Sequence, residues 1–241
     1  MAPYDPPRLI ADIGGTYARF ALETAQGRFS APASLRCADH ADFHAAVRAY
    51  LDTLPPGTQV EHAAVAIANP VEGDRVRMTN YHWEFSIEEM RQRLRLDTLL
   101  VVNDFTALAM SLPRLDGQGM RQVGGGQAVA KSVIGLLGSG SGLGVSGLIP
   151  AGDGWVSLGS EGGHTAVAPR DEREIVVLRH AWQQFDHVSF ERLLSGPGLA
   201  LMHRALAADA GKPAENLSAP EITRRARAAT CPVCLDTIGV V

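Results

Sequence analysis

The sequence predicts an α/β protein with mixed sheets, arranged as two lobes. Three observations carry this. Over the N-terminal part, apolar runs and helical spacings follow one another as β-β-β-α-β-α-β, an antiparallel start feeding a mixed sheet. The pattern of strand, glycine turn and strand at 9–24 then recurs at 132–149, as if a second unit began there. Finally, 241 residues with 46% hydrophobic content suffice for two cores. The expected division is 1–113 for a small α/β lobe and 114–241 for a large one.

Residues 9–13, LIADI, form a short apolar run ending in Gly14-Gly15, so a strand enters a turn. Residues 18–24 return as a strand, and 28–35 supply a third. DFHAAVRAYLDTL, 42–54, carries apolar residues at 43, 46, 47, 50, 51 and 54, a helical spacing closed by Pro55-Pro56. Residues 60–68 read as a buried strand stopped by Asn69-Pro70, and 75–79 as a brief edge strand. Ser86-Ile87-Glu88-Glu89 is a capping-box start for a helix running to Leu94. A buried strand over 99–102 and an apolar helix over 105–112, ended by Pro113, complete the lobe. In the second lobe, 132–137, 143–149 and 154–158 are expected strands. Helices follow over 172–185, 189–194, 199–208 and 221–229, with 211–216 as a surface linker. The closing CLDTIGVV, 234–241, reads as an apolar helix that stops at its opening. The expectation is a chain lacking a C-terminal segment, its second lobe incomplete and apolar surface left uncovered.

Composition narrows the function classes. Charged residues make up 20% and the net charge is −4, so neither nucleic acid nor an anionic membrane is indicated as partner. No run of 18 apolar residues exists and the N-terminus has no secretory pattern. Cys37, Cys231 and Cys234 cannot form a disulfide framework, which makes a reducing cytoplasm the default.

Several constellations can carry chemistry. In Ala11-Asp12-Ile13-Gly14-Gly15-Thr16 a strand enters a turn whose amides and hydroxyl suit phosphate oxygens, while Asp12 suits a hydrated magnesium ion; alone, a plain hairpin is the simpler reading. Gly138-Ser139-Gly140-Ser141-Gly142 follows a buried strand, and paired with the first turn it favours two phosphate clamps. VVNDFTALAM places Asn103 and Asp104 at a strand-to-helix junction. At the carboxyl end of such a strand Asp104 suits proton abstraction from a hydroxyl and Asn103 a neighbouring hydroxyl, although Asp is also a favoured N-cap, and alone that reading is the simpler. Glu161 and His164 flank Gly162-Gly163 in a polar elbow. Ser189 is placed to cap a helix whose first turn holds Glu191, where the dipole favours an anion. Cys231-Pro232-Val233-Cys234 invites zinc, but no second pair exists and Cys37 is remote, so a buried helix is the better reading and no metal ligand is assigned.

In their joint order, ADIGGTYARFAL, VAIANPVEGDRVRMTNYHWEFSIEEM, VVNDFTALAMSLP, GSGSGLGVSGLI, SEGGHTAVAP and HVSFERLLSGPGL resemble the bacterial glucokinases without a zinc motif, within the hexokinase and actin-like ATPase superfamily. The resemblance runs from Leu9 to about Leu235. It implies a two-lobed actin-like ATPase fold, ribonuclease H-like in kind, and ATP- and magnesium-dependent phosphorylation of glucose at its 6-hydroxyl, a glycolytic step. It implies that Asp104 is the catalytic base and that Asn103, Glu161, His164 and Glu191 hold the other sugar hydroxyls. It assigns Ala11, Asp12, Ile13, Gly14, Gly15 and Thr16, together with Gly138, Gly140, Ser141 and Gly142, to ATP. Two departures stand out. Tyr17 takes the place of the family's usual Asn beside the phosphate turn, and the glycine-rich segment that contacts adenine in relatives is missing. The alternatives are therefore a non-catalytic sugar-binding protein or fragment, or a kinase for another hexose such as mannose. Oligomeric state is left open, a homodimer included.

Overall fold

The first sheet is set by alternation of buried and exposed side chains. In β1 (Arg8–Ile13) Leu9, Ala11 and Ile13 are buried while Arg8 and Asp12 are exposed, the signature of a strand with one face on a core. β2 (Tyr17–Ala25) and β3 (Arg28–Arg36) follow as antiparallel neighbours. α1 (Phe43–Leu51) is capped by Asp42, whose carboxylate accepts from the amide of Ala45, and it lays Phe43, Ala46, Val47 and Tyr50 on the core. The helix ends three residues before the expected Leu54 because Thr53 and Leu54 tighten into bonds to the carbonyls of Tyr50 and Leu51. β4 (His62–Ile67) pairs parallel with β1. A separate hairpin of β5 (Arg75–Arg77) and β6 (Glu84–Ser86) leads into α2 (Ile87–Arg93), with Ser86 as its cap. β7 (Thr98–Asn103) then pairs parallel with β4 and runs into α3 (Asp104–Ser111). The strand order is β3-β2-β1-β4-β7.

Register gives this sheet its functional edge. Ile13 lies beside Ile67, and Ile67 beside Asn103. The three parallel strands therefore end at one level, where open α/β sheets place their ligands. Behind them the core is aromatic: Phe20 stacks on Tyr50 at 5.1 Å, Phe43 on Phe85 at 4.8 Å, and Trp83 is 1% exposed.

The structure, a computed structural model, describes residues 3–79, 81–115 and 119–240. Asn80 in the MTNYHW stretch and Val241 at the end of CLDTIGVV lie outside them. The chain divides into two units, Met1–Val123 and Gly124–Val241.

In the second unit β8 (Ile134–Ser139), β9 (Leu143–Ala151) and β10 (Gly154–Ser160) form an antiparallel sheet in the order β10-β9-β8. α4 (Glu172–Ala181), α5 (Phe190–Leu193), α6 (Gly196–Asp209), α7 (Ala219–Arg227) and α8 (Pro232–Val240) follow. α6 is the hub, with α4, α5, α7 and α8 packed on it and Leu201, Met202, His203, Ala205 and Leu206 buried. It begins at Gly196, before the expected 199, because Ser195 caps the amide of Gly198 at 3.2 Å and Pro197 fits the first turn, where no amide is needed. Residues 234–240 of this stretch lie within α8, a formed helix with Val233, Cys234 and Thr237 buried and Leu235 and Ile238 exposed. Among the described residues no helix is long and apolar enough to cross a membrane.

Candidate active site

Three strand ends supply the residues of the first unit. After β1 the chain turns through Gly14, Gly15 and Thr16 into β2. Gly14 donates its amide to the carbonyl of Tyr17 at 2.9 Å, and the thiol of Cys37 donates to the carbonyl of Gly14. Among the described residues the amides of Gly15 and Thr16 have no partner within the chain, so this turn presents two unpaired donors and the exposed hydroxyl of Thr16. Ala11 and Ile13 point into the core, which leaves only their backbone for a ligand. Asp12 faces the other side of the sheet, exposed, and pairs with Arg19 across β2 at 2.8 Å.

After β7 the helix cap is Asn103, not Asp104. The Asn103 Oδ1 accepts from the amides of Phe105 and Thr106 at 3.0 and 3.1 Å. Its Nδ2 donates to Asp104 Oδ1 at 3.0 Å and to the carbonyl of Asn69 at 3.3 Å. Asp104, relieved of capping, opens the first turn half-buried. Both of its hydrogen bonds fall on Oδ1, the second coming from the amide of Phe105 at 2.8 Å. Burial pushes its carboxyl above the usual Asp value, the hydrogen bond from Phe105 opposes this, and the negative charge of Asp12 adds to the upward push.

In the second unit three segments meet at the backbone of Leu143. The β8–β9 turn is closed by the amide of Gly140 on the carbonyl of Gly142 at 2.8 Å, and the amide of Gly196 holds the carbonyl of Gly140. Among the described residues the amides of Ser141 and Gly142 have no partner within the chain. Glu191, in the first turn of α5 behind its Ser189 cap, reaches across to accept from the amide of Leu143 at 3.0 Å. On the other side, Gly163 lies so close to the carbonyl of Leu143 that a Cβ there would overlap it. The elbow around Gly163 brings Glu161 Oε2 within 3.6 Å of His164 Nε2, both largely exposed, and the carbonyl of His164 accepts from His187 Nε2 at 2.8 Å. Glu161, His164, Glu191 and the turn at 138–142 thus belong to one end of this unit.

Each unit by itself offers groups of the kind that phosphate binds. Two glycine turns each leave two adjacent amides unpaired, the donor arrangement that anions take. Asp12 and Thr16 offer exposed oxygen, the donor type that magnesium prefers. The sequence model of glucokinase matches residues 9–240. The chain belongs to the glucokinase family. It is similar to a bifunctional protein glk of Paraburkholderia xenovorans, with 53% identity over 98% of this chain and 37% of that protein. It is similar to a glucokinase of Neisseria meningitidis, with 49% identity over 97% of this chain and 71% of that one. The chain therefore spans little more than a third of the bifunctional relatives it matches. A solved glucokinase from an Antarctic psychrotroph superposes with a TM-score of 0.83 at 36% identity, over 97% of this chain and 74% of that one. The fold is the mixed α/β, actin-like ATPase architecture expected.

Within this glucokinase-family chain, Asn69 does more than stop a strand. It is buried, accepts from the amide and hydroxyl of Thr79 at 2.9 and 2.7 Å, and donates to the carbonyl of Pro70. Its own carbonyl steadies Asn103. Asn69→Ala is expected to lower unfolding stability by about 1–2 kcal/mol, the range for lost, partly solvated hydrogen bonds. Urea denaturation measures this, and an unchanged midpoint would show that Asn69 braces nothing.

Proposed function

We propose that the chain serves as a cytoplasmic, ATP-dependent glucose kinase with Asp104 as its general base. The observation that carries this reading is the position of Asp104, a half-buried carboxylate with one oxygen pinned, at the level where the glycine turn after β1 also lies. A pinned Oδ1 fixes the orientation of Oδ2, and a carboxyl raised by burial is a stronger base near neutral pH. Magnesium-bound ATP, when present, supplies the transferred phosphoryl group and screens its charge. The amides of Gly15, Thr16, Ser141 and Gly142 hold phosphate oxygens, with Gly138 and Gly140 shaping their turn, and Ala11 and Ile13 contribute through backbone only. Asp12 holds the cation's hydration shell, and its pairing with Arg19 keeps the carboxylate in one orientation. Asp104 takes the proton of the 6-hydroxyl as that oxygen attacks the γ-phosphorus, and the bond from that phosphorus to the bridging oxygen breaks to release ADP.

The remaining hydroxyls go to Asn103, Glu161, His164 and Glu191. Asn103 Nδ2 exchanges its longer bond, to the carbonyl of Asn69, for a sugar oxygen while keeping Asp104 in place. Polar partners that each expect a hydroxyl discriminate against sugars lacking one. The test is a coupled assay for glucose 6-phosphate with ATP and magnesium, run beside glucose binding by calorimetry and with mannose as competitor. Transfer to glucose supports the reading. Binding without transfer would make the chain a sugar binder, and faster transfer to mannose would reassign the substrate.

A further inference from the structure

We propose that His203, Cys231 and Cys234 form a site for a zinc-class divalent cation. A ring nitrogen of His203 and the Sγ atoms of both cysteines lie within 4.8 Å of one another. The three come from different parts of the second unit: His203 from the middle of the buried helix α6, Cys231 from the residue before α8, and Cys234 from the first turn of α8. His203 is 3% exposed and Cys234 fully buried, while Cys231 keeps contact with solvent.

A second observation points independently to a missing ligand. His203 Nδ1 is buried and has no hydrogen-bond partner, the sole such side-chain atom among the described residues. Buried polar atoms are satisfied with few exceptions, and an orphan on a ring that neighbours two thiols asks for an occupant. The amide of Cys234 also points to Cys231 Sγ at 3.4 Å, a donor that favours a thiolate at that sulfur.

The donor set selects the ion. Two thiolates and an imidazole suit zinc, whereas magnesium and calcium take oxygen. Ligand atoms around a tetrahedral zinc ion stand about 3.3–3.8 Å apart, so modest side-chain rotation closes the present spacing. On binding, each thiol gives its proton to solvent, and the two thiolates cancel the ion's double charge. The three ligands leave the fourth position to water, Cys231 being the one of them in contact with solvent. The result is a clasp between α6 and α8. The two cysteines alone leave a C-x-x-C pair short of ligands; the fold adds His203. No residue of this site takes part in the proposed kinase chemistry, so the two readings stand or fall separately.

The experiment strips the chain with chelator under reducing conditions and titrates it with Co²⁺ alone. The expected result is a near-ultraviolet thiolate-to-cobalt band that saturates at a single equivalent, is displaced by Zn²⁺, and accompanies a raised Tm. Cys231→Ser, at the partly exposed position, and His203→Gln should each weaken Co²⁺ binding by more than about 100-fold, beyond the loss of a supporting contact. Absence of the band, equal affinity in wild type and Cys231→Ser, or closure of a Cys231–Cys234 disulfide in place of metal uptake would overturn the proposal. If a variant fails to fold, the wild type decides alone: Zn²⁺ must protect both thiols from alkylation, and unprotected thiols refute the site.

Discussion

Asp104→Asn should lower the turnover of glucose phosphorylation by roughly 10²–10⁴-fold, the span contributed by a positioned general base, while leaving the protein at least as stable as the wild type at pH 7. The structural duties of Asp104 survive the change, because an amide Oδ1 still accepts from Phe105 N and Asn103 Nδ2, and Asn103 supplies the cap. Only the basic oxygen is lost. The stability sign follows from burial. The folded carboxyl titrates above its ordinary value, so the folded state holds the proton more tightly than the unfolded chain. That contribution to stability is fully present below the unfolded value and is lost as pH rises through the folded one. At neutral pH the ionised Asp104 therefore costs stability, and the neutral amide removes that cost. Thermal melts should show the variant level with or above the wild type at pH 7, with the difference closing toward about pH 4. Equal turnover of the two proteins would remove Asp104 from its role, and a variant markedly less stable at pH 7 would show that the carboxylate is structural.

How far such a site can be read in advance is decided by sequence distance. The strand LIADI, the α1 spacing and the glycine turns are local patterns, and each appears where its residues place it. Local pattern fails where two residues compete for one role. Asn103 and Asp104 are both good caps, and only the register that ends β7 at Asn103 decides between them. It fails again at Gly196-Pro197-Gly198, which reads as a break but is the first turn of α6. There Gly198 is needed because a Cβ would overlap the carbonyl of Leu193. β6 is too short at three residues for alternation to show. Contacts between distant segments left no trace at all. Nothing in the spacing of Cys231 and Cys234 points to His203, a residue that helical periodicity assigns to the core. Nor does anything link Glu191 to the amide of Leu143.

Gly142→Ala and Gly163→Ala should fail in opposite ways, although both glycines crowd the same end of the second unit. Neither has a positive φ, so each is required for space alone. A Cβ on Gly142 would overlap Glu191 Oε2, the tip of a flexible side chain. The carboxylate can swing aside, leaving the bond from Leu143 N, and the fold persists. A hydrogen bond to a charged group is worth about 1.5–3 kcal/mol, which as misplaced sugar contact converts to roughly 10- to 100-fold in the KM for glucose. A Cβ on Gly163 would overlap the carbonyl of Leu143, backbone at the start of β9 that no rotamer can clear. The elbow or the strand must shift, costing about 3 kcal/mol as overpacking does, with a fall in Tm on the order of 10 °C. Glu191→Gln is the control, since its side-chain oxygen can keep the Leu143 bond. It should stay closer to the wild type in KM than Gly142→Ala. Melts and glucose kinetics on the three variants separate the effects. A Gly142→Ala protein with unaltered KM would sever Glu191 from the sugar, and a Gly163→Ala protein as stable as the wild type would show that the elbow yields more easily than a strand carbonyl allows.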